Sequence, residues 1–361
     1  MFLVDPLTTP KPWWSNRSIQ MTKFLKRYAP GGAFDFFTYE ELLWWFFFCV
    51  AINPFRWKWA PFVFFGIGKG LPMKIVHHEG YYYLTPTTWN NVQITRATTI
   101  NGLKTAAPKT DRTDSTASRC CNLWAPGIHW IPAQGSWYIY YSAGSSGTFD
   151  NQRSHVLKGS STNIWNSSWS YSGRLVIPNR DVWAIDDTVL VIGNDRYFVF
   201  SSWDGPVTDT KNPRLMTSAT TLGNATKISA PTLSWERVGA NVNEGAAPIY
   251  HGGNTWIVYS ASNCAATGYK LGSLQWTGGN PLSASSWQKN PNPIFQYANG
   301  NHQPGHSAFF LSPSGNQIWN NTPGACDGSR CTAVQQVNFN SNGELNLGAP
   351  IARGQEIAEP V

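Results

Sequence analysis

From about residue 70 onward, short runs of aromatic and β-branched residues alternate with turns rich in Gly, Asn, Ser and Pro. The strongest runs are GYYYLT (80–85), SWYIYYS (136–142), TVLVI (188–192), RYFVFS (196–201) and TWIVYS (255–260). Runs this short, so composed and so bounded, predict β-strands rather than helices, and hence an all-β unit. A looser repeat overlies them. A phrase of Gly or Asn, then aromatic, aliphatic, aromatic and Ser or Thr, recurs at Gly80, Gly135, Asn194 and Gly253, spaced by 55, 59 and 59 residues. Near-constant spacing of the strongest strand predicts the repeated four-stranded sheets of a β-propeller rather than a sandwich.

The first part of the chain differs. Before residue 70, apolar residues clump without period 2 or period 3.6, and charges fall irregularly. The expected organisation is an irregular N-terminal extension over 1–69 and a propeller domain over 70–361. The apolar run from Leu42 to Ile52 is too short to span a bilayer and ends at Asn53-Pro54. A tether built on residues 42–65 is the weakest reading, and no stable membrane insertion is expected.

Composition narrows the function class. The 361 residues include 19 Trp, 19 Phe and 14 Tyr, while charged residues make up only 13%. Sugars present flat C–H faces that stack on aromatic rings, and a neutral ligand needs few charges. The net charge of +7 is concentrated at the front: residues 1–70 carry eight Lys/Arg against four Asp/Glu, the remainder 19 against 16. No basic run stands out in the larger part, which argues against nucleic acid. The six cysteines match no zinc or Cys-x-x-Cys redox spacing, but Cys326 and Cys331 bracket a turn-like Asp-Gly-Ser-Arg and are spaced for a small disulfide.

Three phrases stand at similar places relative to the repeat: LWAPGIHW (123–130), VWAIDDTV (182–189) and VNEGAAP (242–248). Each precedes a strong aromatic strand. In a propeller, segments just before the second strand of a sheet deliver side chains to a central pocket. The acids delivered this way are Asp186, Asp187 and Glu244. Paired carboxylates are what glycoside hydrolysis needs, one to protonate the leaving oxygen and one to activate water or attack the sugar. Burial and a neighbouring carboxylate would raise the pKa of the acid toward working pH. Trp89, Trp124 and Trp183 are candidate sugar platforms.

These phrases, with GYYYLTPTTWNNVQITRA, SRCCNLWAPGIHWI, WYIYYSAG, YSASNCAATGYKLG and QPGHSAFF, occur in order over about four-fifths of the chain. By them the chain resembles glycoside hydrolase family 43, and within it the fungal exo-acting α-L-arabinofuranosidases. The resemblance implies a five-bladed β-propeller and an inverting enzyme acting on arabinofuranosides, with β-xylosides as the nearest alternative. It implies Glu244 as general acid, Asp186 as the acid that orients it, and His306 as the axial histidine, which contacts a water or a calcium ion. No cofactor is expected to be required, and a structural calcium near His306 is allowed. Asp187 stands where the family has glycine and reads as an addition. The implied partner is a plant cell-wall polysaccharide or oligosaccharide, bound by an extracellular monomer, although the N-terminus MFLVDPLTTPKPWW shows no export signal.

Two further positions depart from the family pattern. Gly127 replaces the acid of a Trp-Ala-Pro-acid phrase, and Leu71 stands where the general-base aspartate of an Asp-Pro phrase belongs. Leucine accepts no proton, which opens the alternative of a propeller that only binds pentose-containing polysaccharide. The one Asp-Pro in the chain is Asp5-Pro6. If residues 7–70 are an intrusion between that phrase and the first strand, Asp5 is the base.

Overall fold

The computed structural model describes residues 62–63, 73–178, 181–203, 208–215, 223–315, 317–321, 326, 330–352, 355 and 357–360. All belong to one compact unit, Ala60–Val361. Asp5, Leu71 and the apolar run 42–52 lie outside the described residues.

Strand β1 (Phe62–Val63) pairs with β22 (Ile357–Ala358), so the unit reaches back past the residue at which the composition changes. The other strands form five antiparallel sheets in chain order. The first contains β2 (Met73–His78), β3 (Tyr81–Pro86), β4 (Asn91–Ala97) and β5 (Lys109–Thr113). The second contains β6 (Cys121–Ile131), β7 (Ser136–Gly144), β8 (Arg153–Gly159) and β9 (Trp169–Arg174). The third holds β10 (Ala184–Ile192), β11 (Asp195–Trp203) and β12 (Thr208–Leu215). The fourth holds β13 (Asn243–His251), β14 (Asn254–Ala261), β15 (Lys270–Trp276) and β16 (Trp287–Lys289). The fifth holds β17 (Ala308–Leu311), β18 (Gln317–Asn321) and β19 (Ala333–Gln336), followed by the short hairpin β20 (Asn338–Phe339) and β21 (Leu345–Asn346). Helical structure among the described residues is limited to short 3₁₀ turns.

The predicted aromatic strands are second strands of their sheets, except TVLVI, which ends β10. They are buried on both faces: Tyr82, Tyr83, Tyr140, Tyr141, Phe198, Phe200 and Tyr259 are almost wholly inaccessible. Such continuous apolar runs fit strands covered by a sheet on each side. The hairpins before them turn at residues with positive φ, Glu79-Gly80 (49° and 76°) and Gly252-Gly253 (55° and 81°). Two consecutive positive φ values match the right-handed twist of the paired strands, which is why glycine marks the repeat.

Apolar cores lie between consecutive sheets. Tyr83 and Val92 meet Ile139 and Leu157 between the first and second. Tyr138 and Tyr140 meet Phe198 and Phe200 between the second and third. Leu190 and Val199 meet Ile257 and Tyr259 between the third and fourth. Ile249 and Trp256 meet Phe309 and Val337 at the fourth and fifth. Phe310 and Val334 of the fifth meet Tyr82 and Leu84 of the first, so the series closes on itself. Each such side chain contributes about 1.5–3 kcal/mol by leaving water. The first strands repeat the closed order, with β2 against β6, β6 against β10, β10 against β13, β13 against β17, and β17 against β2. The C-terminal segment is strapped over the first sheet, where Glu359 accepts the backbone N–H of Ile100 and Tyr82 Oη donates to Pro360 O at 3.1 Å.

Candidate active site

The three phrases singled out in the sequence lie in the first strands β6, β10 and β13, and each contains the same irregularity. Trp124 and Gly127 face Ser142 and Tyr140; Ile185 and Thr188 face Ser201 and Val199; Glu244 and Ala247 face Ser260 and Val258. One strand therefore carries an extra residue in each case, a β-bulge, which bends the strand and re-aims its side chains. The second bulge residue has positive φ: Ala125 49°, Asp186 61° and Gly245 61°. His306, two residues before β17, has φ 49°.

The backbone N–H of each of these residues is held by an oxygen of the preceding sheet. Ala125 donates to Thr87 Oγ1 (2.8 Å), Asp186 to Ser142 Oγ (3.2 Å) and His306 to Ser260 Oγ (2.6 Å). At Gly245 the acceptor is instead Asp186 Oδ2, at 2.9 Å. Asp186 thus fixes the peptide that follows Glu244, and its Oδ2 also stands 3.8 Å from His306 Nδ1. A side chain at position 245 would crowd His306, with a Cβ only 3.2 Å from Nδ1. Glycine there meets both the positive φ and this close approach.

These bulges open on a cavity of about 280 Å³, lined by Glu244, Asp186, His306, Trp124, Trp89 and Phe149 among others. Asp186 and His306 are buried, while Glu244 is partly exposed. Glu244 Oε1 accepts a 2.7 Å hydrogen bond from Tyr269 Oη. Burial, followed by the charge of Glu244, pushes the Tyr269 phenol well above its ordinary pKa, so the hydroxyl stays protonated. Arg330, also lining the cavity, lies over the Tyr269 ring at 5.2 Å.

At the rim, Trp89, Trp124 and Phe149 form an aromatic corner with centroids 5.2–6.1 Å apart. Trp89 and Phe149 are 41% and 55% exposed, so their rings are available to a ligand. Trp183 does not line the cavity. Its Nε1 donates to Phe149 O at 2.7 Å and its ring packs on Trp203, so it supports the loop that carries Phe149.

Asp187, one residue from Asp186, turns away from the cavity and is fully buried. Ser154 Oγ donates to its Oδ1 at 2.6 Å, and Lys74 Nζ donates to its backbone oxygen. Burial raises the Asp187 carboxyl to about 7 against the pull of Ser154 and Lys74. Burial likewise lowers the Lys74 ammonium to about 8, although Asp187 and Asp186 favour its charge and the residue as a whole is only half-buried. The missing side chain at Gly127 is what admits this lysine: a Cβ there would lie 2.6 Å from Lys74 Cδ and 2.9 Å from Nζ. The lysine also bears on His129, whose imidazole burial and the Lys74 charge together lower to about 3.

The disulfide expectation is corrected. Cys326 bonds to Cys264, 62 residues away, with Cα atoms 5.6 Å apart, and Cys120 bonds to its neighbour Cys121. The Cys264–Cys326 bridge joins the loop after β14 to the segment between β18 and β19 and lines the cavity, a proximity that spacing along the chain could not reveal. For the calcium expected near His306, no group of three or more His, Cys, Asp and Glu side chains stands ready for a metal among the described residues.

Phe149, Tyr269, Arg330 and Lys74 were not singled out in the sequence. Tyr269 lies inside the resembling phrase YSASNCAATGYKLG, and that was the only signal for any of the four.

A closed ring of sheets whose first strands bring carboxylates to one small cavity, beside exposed aromatic rings, defines a β-propeller of the carbohydrate-active kind. Comparison with known proteins agrees. The model of the glycosyl hydrolases family 43 matches residues 67–345, and the chain belongs to that family. It is 35% identical over 298 residues to an extracellular exo-α-(1→5)-L-arabinofuranosidase of Streptomyces avermitilis, covering 77% of this chain and 61% of that protein. It is 33% identical over 306 residues to α-L-arabinofuranosidase 43 of Humicola insolens, covering 78% and 62%. The chain thus spans about three-fifths of the length of these curated relatives. Among solved structures, an α-L-arabinofuranosidase from Lactobacillus brevis superposes with a TM-score of 0.74 at 27% identity, covering 79% of this chain and 95% of that one. The binding-only alternative finds no support in these comparisons, and Leu71, on which it rests, lies outside the described residues.

Proposed function

We propose that the chain is an inverting glycoside hydrolase that removes terminal α-L-arabinofuranosyl residues from arabinan or arabinoxylan, acting outside the cell as a monomer. The five sheets are read as the blades of a five-bladed propeller, a reading supported by the closed series of inter-sheet cores. One observation carries the activity: Glu244 presents a carboxylate to a small cavity while its following peptide is pinned by the buried Asp186. Glu244 is the general acid, donating its proton to the glycosidic oxygen as the bond to the anomeric carbon breaks. Asp186 orients it and keeps a negative charge nearby, which favours its protonated form. His306 lines the floor, and Trp89, Trp124 and Phe149 flank the sugar. The base that takes a proton from the attacking water must stand about 6.5–9.5 Å from the acid. Asp5 is assigned that role as the one aspartate preceding a proline in the chain.

The test is release of 4-nitrophenol from 4-nitrophenyl α-L-arabinofuranoside, with the β-xyloside as competitor and the anomer of the first-formed sugar followed by proton NMR. Turnover with inversion, abolished in Asp5→Asn, is expected. On a substrate with a poorer leaving group, Glu244→Gln should lose about 10²–10⁴ in rate, the span of general-acid catalysis. Retention of configuration would overturn the mechanism, full activity of Asp5→Asn would remove Asp5 from it, and preference for the xyloside would replace the substrate.

A further inference from the structure

Beside the catalytic cavity, across the loop that joins β7 and β8, lies a second and strongly polar cleft of about 420 Å³. Phe149 of that loop lines the cavity and Asn151, two residues on, lines the cleft. The dividing loop is pinned: Asn122 Nδ2 donates to Ser145 O and Thr148 O at 2.9 Å each, and Gln152 Nε2 returns a 2.8 Å bond to Asn122 O. The cavity and the cleft thus stand on either side of one fixed loop.

The cleft walls include Arg119, Arg153 and Arg174, with His155 and Tyr171. Counting Arg112 behind Arg119, four guanidinium groups share two carboxylates. Arg112 and Arg119 both bond Asp114 Oδ2, at 2.7 and 2.8 Å; Arg153 and Arg174 both bond Asp181 Oδ1, at 2.9 and 2.5 Å. Two positive charges are left over. Asp150, on the dividing loop, is not among the lining residues and takes the Thr148 hydroxyl at 2.9 Å.

The donors are also incompletely used. Arg119 bonds Asp114 through Nε alone, and its plane is held over the Tyr171 ring at 4.2 Å. Arg174 bonds Asp181 through Nη1 alone. His155 is buried, with Nδ1 3.1 Å from Tyr171 Oη, and its Nε2 has no hydrogen-bond partner among the described residues. Burial, reinforced by Arg119, lowers His155 to about 4, so the imidazole is neutral at ordinary pH. A guanidinium with a free fork of N–H groups matches a carboxylate in two parallel bonds, a fit that a neutral sugar hydroxyl does not offer. The cleft is larger than a bare anion requires.

We propose that this cleft is a subsite for a uronosyl carboxylate borne by the same polysaccharide whose arabinofuranosyl end enters the cavity. The subsite rests on the arabinofuranosidase reading of that cavity. Arg119 and Arg174 clasp the carboxylate, and the sugar ring lies over Asn151.

The experiment compares kcat/KM on two arabinosylated oligosaccharides that differ only in one uronosyl residue, with 4-nitrophenyl α-L-arabinofuranoside as a substrate too small to reach the cleft. The wild-type chain should show a KM about tenfold to a hundredfold lower for the uronosyl substrate at low salt, the range of one hydrogen bond to a charged group. Added sodium chloride should erode that preference. Arg174→Gln and Arg119→Lys should each abolish it while the small substrate is still turned over; the lysine keeps the charge and loses the fork. Equal kcat/KM on both oligosaccharides, or a preference that survives both substitutions, overturns the subsite. So does inorganic phosphate that binds as tightly as the uronosyl oligosaccharide, which would make this a free-anion site. If the small substrate is not cleaved at all, the arabinofuranosidase reading fails instead. Calorimetric binding of the two oligosaccharides then still decides the cleft, since equal affinities overturn it.

Discussion

Removing one hydroxyl, in Tyr269→Phe, tests the electrostatics of the proposed acid. Tyr269 Oη donates to Glu244 Oε1 at 2.7 Å, and the phenol is too buried to ionise near neutrality. A hydrogen bond donated to a carboxylate favours its charged form, so it lowers the pKa of Glu244. Such a bond to a charged group contributes about 1.5–3 kcal/mol. One pKa unit corresponds to about 1.4 kcal/mol, which sets an upper limit of about one to two units. The protonated carboxyl retains part of the contact by donating back to the phenol oxygen, so the expected shift is about one unit. Phenylalanine should therefore raise the pKa of Glu244. A general acid works while protonated, and the alkaline limb of kcat/KM against pH should move up by about one unit. The assay uses an aryl arabinofuranoside with a poor phenol leaving group, for which protonation matters. The ring itself keeps its seat against Gly305, where a Cβ would lie 2.0 Å from Tyr269 Cε1. An alkaline limb that stays put, or moves to lower pH, would refute the assignment of Glu244 as the acid tuned by Tyr269.

Three further outcomes follow from buried groups. Glu236 is wholly inaccessible and accepts from Thr232 N, Leu233 N, Tyr259 Oη and Lys289 Nζ, so Glu236→Gln should cost about 3–5 kcal/mol in urea unfolding with KM unchanged. Gly127→Ala should destabilise by about 1–3 kcal/mol because its Cβ overlaps Lys74, and adding Lys74→Met should recover part of the loss in the same unfolding measurement. Asp187 has its carboxyl raised from 3.8 to about 7 by burial, so between those values the folded state holds a proton that the unfolded state has lost. Stability then falls as pH rises through that window. Asp187→Asn should flatten this fall in thermal melts from pH 4 to pH 7, and an unchanged slope would contradict the burial of that carboxyl.

The strongest strands were legible because they are apolar on both faces and begin at turns that require positive φ. GYYYLT, SWYIYYS, RYFVFS and TWIVYS all became second strands of sheets. Strand β12 was not legible: TDTKNPRL has no aromatic residue and carries Pro213, which suits an edge strand that needs no donor at that position. The LWAPGIHW, VWAIDDTV and VNEGAAP phrases were legible as carriers of chemistry but not as bulged strands, because a bulge is a relation to the facing strand. Glu244, Asp186, His306, Trp124 and Trp89 were singled out and stand together at the cavity. Phe149, Tyr269 and Arg330 reach it from segments far away in sequence, and apart from the resembling phrase that contains Tyr269 no local pattern marks them as site residues. Lys74 was hidden for another reason: its space is defined by the missing side chain of Gly127, on the first strand of the next sheet and distant in sequence. The Cys264–Cys326 bridge shows the same limit, since the turn-like Cys326–Cys331 spacing was the more visible pattern.

The hydrogen bonds at the bulges make the sheets unequal partners. Thr87, Ser142 and Ser260 each hold the next sheet with a hydroxyl, but the link from the third sheet to the fourth runs through the Asp186 carboxylate. The position of Glu244 is therefore not a property of its own sheet. Transplanting the fourth sheet into another ring would carry the strand and the acid but leave the Gly245 amide without its anchor. Cutting the chain is a different matter. A backbone break at the exposed Gly252-Gly253 turn, at the opposite end of β13 from Glu244, would leave every one of these links intact, so a chain nicked there after folding should keep its cavity in place.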